Sequence, residues 1–149
     1  HRYIRRQRQM CIRDSIIIEY NMEKDAKKKV FSLFISVYFE LLEIIKVHFN
    51  KHKDFEIFYK KNFLLKRTNI KLFIKNWYTY ITTQYYQKIH EGDIPYFLEN
   101  ALQIMTSDYL KKYFLYFKQV YDTLDEVLIK NVVQKIQQLT HMSYLYYNN

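Results

Sequence analysis

His48 and His52 stand four residues apart with Glu56 four further on, and on one unbroken helix this spacing would put three metal-ligating groups on a single face. The intervening Lys51, Lys53 and Asp54 argue for a turn, and no His-Glu-x-x-His arrangement occurs, so solvated turn residues are the expected reading. His90-Glu91-Gly92-Asp93 gathers a base, two carboxylates and a flexible glycine, the inventory of a general acid/base or metal-dependent hydrolytic site. A helix stop at Gly92 and a helix start at Asp93 account for the same residues without chemistry. Asp122, Asp125 and Glu126 also cluster, but Lys118 lies four before Asp122 and Lys130 four after Glu126, the spacing of surface ion pairs. Phosphate-binding glycine loops and nucleophile elbows are missing, and a chain with one Gly can build few of them. An enzyme is not expected, nor a cofactor, a metal or a small-molecule ligand.

Charge is the feature that stands out. Residues 57–90 hold seven basic side chains and no acid, whereas residues 16–56 and 91–149 are close to balance. Lys60, Lys61, Lys66, Arg67, Lys71 and Lys75 gather around one inter-helix turn, with Phe63, Phe73 and Trp77 nearby in sequence. Cations beside aromatics could grip phosphates and stack bases, or face an anionic membrane or an acidic protein. Phe73 and Trp77 fall on the apolar side of their helix, however, which favours core aromatics and a solvated lysine rim.

Helices must position these residues. In Val30 to Phe49 the polar Ser32, Ser36, Glu40, Glu43 and Lys46 form one narrow stripe, so this helix belongs at a bundle centre or against a partner. Asp54 is expected to cap a second helix reaching about Lys66, and Thr68 or Asn69 a third. On the third, Ile70, Phe73, Ile74, Trp77, Ile81 and Tyr85 form the apolar face and Asn76, Thr79, Thr83 and Gln87 a neutral one. Gly92, Asp93 and Pro95 mark a stop and a new start, followed by a short helix to about Met105. Ser107 should cap a helix from Asp108 to Tyr121, and Thr123-Leu124-Asp125-Glu126 reads as a capping box opening a last helix striped by Leu128, Val132, Ile136, Leu139 and Tyr146. The expected fold is an all-α, single-domain bundle of five or six helices with short loops.

The 149 residues carry 24 Lys or Arg against 15 Asp or Glu. Arg5-Arg6-Gln7-Arg8-Gln9-Met10-Cys11-Ile12-Arg13-Asp14-Ser15 resembles a translated sequencing adapter, so residues 1–15 are read as a scar and 22–149 as the helical domain, with Met22 the expected start. Without the five Arg and one Asp of the scar, the net charge falls from +9 to +5. The enrichment in Lys, Asn, Ile, Tyr and Phe is what an A/T-rich genome produces, which weakens basicity as a sign of nucleic-acid binding. The only Cys, Cys11, leaves with the scar, consistent with a reducing, intracellular compartment. Charges interrupt every apolar stretch before it reaches spanning length.

Ile74-Lys75-Asn76-Trp77-Tyr78, Tyr85, Ile89, Gly92-Asp93-Ile94-Pro95-Tyr96-Phe97-Leu98 and Ile136-Gln137-Gln138-Leu139-Thr140-His141-Met142-Ser143 together resemble a family of small, uncharacterised helical proteins of large DNA viruses of algae and other protists. Met142 stands where that pattern has Leu. The resemblance spans most of residues 28–147 and implies a helical fold and a viral origin, in a host cytoplasm or virion. It carries over no activity, cofactor or catalytic residue. The expectation is a non-enzymatic structural or interaction protein, self-associating through the first helix or the neutral side of the third, or binding a protein partner. The alternatives are a nucleic-acid-binding accessory protein using the basic turn and, more weakly, a hydrolase around His90, Glu91 and Asp93.

Overall fold

The computed structural model describes the backbone of residues 2–148, and side chains from Glu23 onward apart from Ile104 and Asn149. The side chains of the adapter-like segment therefore lie outside the described residues. Helix α1 spans Arg2–His48, α2 Lys53–Thr68, α3 Lys71–Trp77, α4 Thr83–His90, α5 Ile94–Ile104, α6 Asp108–Tyr121 and α7 Glu126–Asn148. A π turn at Tyr78–Thr82 joins α3 to α4 without a break, so the chain makes six rods and, among the described residues, no strand. This is the all-α bundle that the periodicity predicts.

The turns between rods form as local chemistry dictates, with four differences from the sequence reading, the first being that Ser107 precedes α6 without a side-chain capping bond, its Oγ accepting from Asn76. Gly92 takes φ +84°, the left-handed conformation that ends α4, and Asp93 then accepts a hydrogen bond from Tyr96 N at 3.3 Å to open α5. For α2 the cap is His52 rather than Asp54: its Nδ1 accepts from Phe55 N at 3.2 Å, and three residues of turn, Phe49, Asn50 and Lys51, separate it from the last residue of α1. Asn69 and Thr68 cap nothing ahead of them; Asn69 closes α2 by donating its N–H to Leu65 O, and Thr68 Oγ1 bonds back to Leu64 O. At α7 the capping residue is Asp125, whose Oδ1 accepts from Leu128 N at 2.8 Å, while Thr123 turns back to Val120 O. A short carboxylate immediately before the first helical residue reaches the free N–H groups better than a threonine two residues upstream.

The interior is built on α1. Phe34, Tyr38, Leu41, Leu42 and Ile45 are buried against α2, α3, α6 and above all α7, which runs along it, so the greasy helix sits at the bundle centre. Aromatic rings fill the space: Tyr38 stacks on Tyr113 with centroids 4.6 Å apart, and Trp77 meets Phe34 and Phe114 at 6.0 and 5.4 Å. Burial of such rings, plus their edge-to-face contacts, is the main source of stability here.

The few buried polar groups are all paired. Trp77 Nε1 donates to Thr140 Oγ1 at 3.1 Å, and that hydroxyl donates onward to Ile136 O at 2.8 Å. Ser143 Oγ donates to Thr140 O, leaving its lone pairs to accept from Thr82. Tyr113 donates to Tyr38 O, and Tyr38 in turn to Asn62 Oδ1. No buried side-chain donor or acceptor among the described residues is left without a partner. These bonds tie α7 to the α3–α4 rod and α2 to α1 and α6, fixing which faces meet.

The π turn follows from the sequence spacing. Trp77, Ile81, Tyr85 and Ile89 are all buried and recur every four residues. On a regular helix of 3.6 residues per turn, three such steps would rotate the stripe by about 120° away from α7. A wide turn at Tyr78–Thr82 takes up one extra residue and holds the stripe inward, with Thr82 brought in beside Ser143.

Candidate functional site

The metal and acid/base candidates are held apart by the turns. His48 ends α1 and its Nδ1 lies 3.5 Å from Ile44 O, His52 caps α2, and Glu56 pairs with Lys60 at 3.0 Å. At the second cluster, Asp93 caps α5 and Glu91 accepts from Gln87 Nε2 at 3.2 Å. The His90 ring lies parallel to Tyr86, with centroids 6.3 Å apart, and lines a different surface. That surface is a groove of about 470 Å³ between α4 and α7, lined by Tyr86, Ile89, His90, Gln137, Thr140 and His141; neither Glu91 nor Asp93 lines it. Tyr86 Oη sits 3.2 Å from His141 Nδ1, and Gln137 donates to the carbonyls of Ile89 and His90, locking the end of α4 to α7. Nowhere among the described residues do three His, Cys, Asp or Glu side chains converge as metal ligands would. His141 is a groove residue that sequence reasoning passed over; nothing short of the α4–α7 pairing could have brought it beside Tyr86.

Asp122, Asp125 and Glu126 form a helix entrance, but without the expected ion pairs. The ion pairs among the described residues are Lys60–Glu56, Lys88–Glu91 and Lys135–Glu40, and neither Lys118 nor Lys130 enters one. The neutral side of the α3–α4 rod is partly engaged: Asn76 donates to Ser107 Oγ, ahead of α6, at 3.4 Å and Thr83 Oγ1 to Thr79 O at 2.8 Å.

The six basic candidates are all exposed, yet they split by position. Lys60, Lys61 and Arg67 lie on the outward side of α2, opposite the buried Phe55, Phe58 and Asn62. Lys66 turns toward the body, its Nζ 4.7 Å from the centroid of Phe39 and 6.0 Å from that of Phe63. Lys71 and Lys75 follow one another at four-residue spacing along α3. Two of the neighbouring aromatics are unavailable, Phe73 at 3% and Trp77 at 0% exposed, while Phe63 is 37% exposed with Phe39, Tyr59 and Lys66 on its flanks.

Sequence reasoning missed what stands among the lysines. Ile57 and Leu64, seven residues apart and so on one side of α2, are 55% and 61% exposed. Lys53, Lys60, Lys61 and Arg67 share that side, and Lys112 of α6 joins it across a cleft also lined by Ile57, Lys61 and Asp54. The legible signal was an aliphatic pair in register with the lysines rather than with Phe55 and Phe58. Among the described residues no helix is long and apolar enough to cross a membrane. Comparison with known protein families, curated proteins and solved structures finds no match.

Proposed function

We propose that this chain works by contact rather than by catalysis: a non-enzymatic helical protein, of viral origin, that binds a partner through its outer faces. The observation that carries this reading is the placement of aliphatic side chains outside a closed core. Val47 near the end of α1 and Ile57 and Leu64 along α2 are each more than half exposed, although no buried side-chain polar atom among the described residues lacks a partner. Apolar residues held in water beside cations mark a place where something docks. Self-association through α1 is the less favoured form, because α2, α3, α6 and α7 pack on its buried Phe34–Ile45 stretch and Glu40 on its outer stripe is bridged to Lys135 at 2.6 Å. The viral origin is supported by the resemblance of the Trp77 helix, the Gly92 turn and the Thr140 helix to the algal-virus pattern. A nucleic-acid role keeps the cations, but of the exposed rings Tyr96, Tyr144 and Tyr147 lie on α5 and α7, and only Phe63 stands among the cations of α2.

Backbone amide exchange of the full chain, alone and in eukaryotic cell extract, tests the reading. Slowed exchange confined to the outer faces of α1 and α2 is expected. Slowed exchange confined to the Tyr86–His141 groove, and retained with the small-molecule fraction alone, would contradict it.

A further inference from the structure

Resting on that reading, the outer side of α2 has a chemistry specific enough to name its partner. Along Lys53–Thr68 the outward positions run Lys53, Ile57, Lys60, Lys61, Leu64 and Arg67, recurring every three or four residues over about 24 Å of helix. Two aliphatic side chains thus stand on the crest with cations before, between and after them. We propose that this side of α2 lies on an anionic lipid surface, with Ile57 and Leu64 entering the headgroup–acyl boundary and the four cations meeting lipid phosphates and carboxylates.

Three observations favour lipid over the other polyanions. Bases are gripped by exposed rings, and here Trp77 and Phe73 are in the core, Phe63, 37% exposed, is flanked by Phe39, Tyr59 and Lys66, and the more exposed apolar groups, Ile57 and Leu64, have no π face. Protein interfaces are depleted in Lys and anchored by aromatic residues, whereas this stripe has three lysines, one arginine and two isolated aliphatics. Long lysine stems can lie along the apolar boundary while their ammonium groups reach the headgroups, the arrangement of helices that rest on membranes without crossing them. Acids lie only at the N-terminal end: Glu56 is bound to Lys60 at 3.0 Å, and Asp54 lines the cleft with Lys61 and Lys112. Residues 57–90 add none.

The test is co-sedimentation of the full chain with vesicles of phosphatidylcholine, alone or mixed with phosphatidylserine. Binding is expected only with phosphatidylserine and should weaken as salt rises. Lys60→Glu/Lys61→Glu should lower affinity by about tenfold or more, given roughly 1 kcal/mol per surface cation. Ile57→Asp/Leu64→Asp should lower it several-fold, and both pairs should keep the wild-type helical signal because their side chains are exposed. Lys118→Glu/Lys130→Glu makes the same charge change on α6 and α7; an equal loss there would overturn the proposal, because net charge and not the α2 stripe would then be acting. Retention of binding by Ile57→Asp/Leu64→Asp would also overturn it, as would loss of single-stranded DNA binding in the stripe variants with vesicle binding intact. If the wild type ignores vesicles but α2 is still protected in extract, the lipid assignment fails and the contact reading stands. Absence of both effects removes both.

Discussion

Trp77 and Thr140 show how much of this fold rests on single polar contacts in an aromatic interior. Replacing Thr140 by Val keeps the volume but leaves the indole N–H of a fully buried Trp77 without an acceptor, so a loss of about 1–3 kcal/mol is expected in urea unfolding. Thr140→Ser retains the oxygen and should cost less; equal losses would mean that the hydrogen bond contributes nothing. The tyrosines give a second prediction. Tyr59 is pushed up to about 12, first by burial and then by its hydrogen bond to, and the charge of, Glu43. Burial likewise raises Tyr113 and Tyr38, each with a smaller contribution from a neighbouring tyrosine. Unfolded phenols lose their protons near pH 10, so the folded state holds these protons more tightly than the unfolded one. Their contribution to stability is complete below about pH 10 and is lost at higher pH, for Tyr59 as pH rises through about 12. Urea midpoints should be level from neutral pH into the mildly alkaline range and drop beyond it; a midpoint unchanged on the alkaline side of 10 would contradict the burial of these rings. At this scale the inward residues Phe73, Ile74, Trp77, Ile81, Val132, Ile136 and Leu139 were readable from spacing, whereas Leu128, 37% exposed, was not. It stands in the first turn of α7, beyond the reach of the neighbouring helices' core.

Among the elements, the π turn between α3 and α4 makes the sharpest prediction. Because Tyr78–Thr82 holds one residue more than a regular turn needs, deleting the exposed Thr79 should convert it to an α turn and leave both flanking stripes facing α7. Deleting Gln87, equally exposed but in a regular turn, should swing Ile89 by about 100° out of the core and lower thermal stability far more. Equal melting temperatures for the two deletions would show that the wide turn carries no register role. The rods themselves were legible, since each has its stripe and most have a turn signal between them. The caps were read less well: Asp54, Thr68 and Thr123 are all good capping residues, but the choice among neighbouring candidates depends on where the helix axis starts. That start is set by packing, such as the edge contact of His52 against Phe49 with centroids 5.6 Å apart. The same limit explains the basic candidates. Sequence alone placed Lys60, Lys61, Lys66, Arg67, Lys71 and Lys75 in one patch, but only the helix rotation separates the outward three of α2 from Lys66, which covers Phe39 and Phe63.

Across the whole molecule, Trp77, with its hydrogen-bonding partner Thr140, and most of the phenylalanines are buried, while Ile57 and Leu64 stand outside among the cations of α2. The functional proposal depends on that division, because an outward Trp77 beside Lys71 and Lys75 would instead make a surface suited to bases. Trp77 is the only tryptophan of the sequence and is 0% exposed, so its fluorescence reports the division directly. The decisive measurement is acrylamide quenching of the full chain, native and in strong urea, with and without single-stranded DNA. The account predicts blue-shifted native emission, a quenching constant several-fold below that of the unfolded chain, and no change on adding DNA. Emission quenched as readily in the native as in the unfolded chain, or shielded further by DNA, would contradict it.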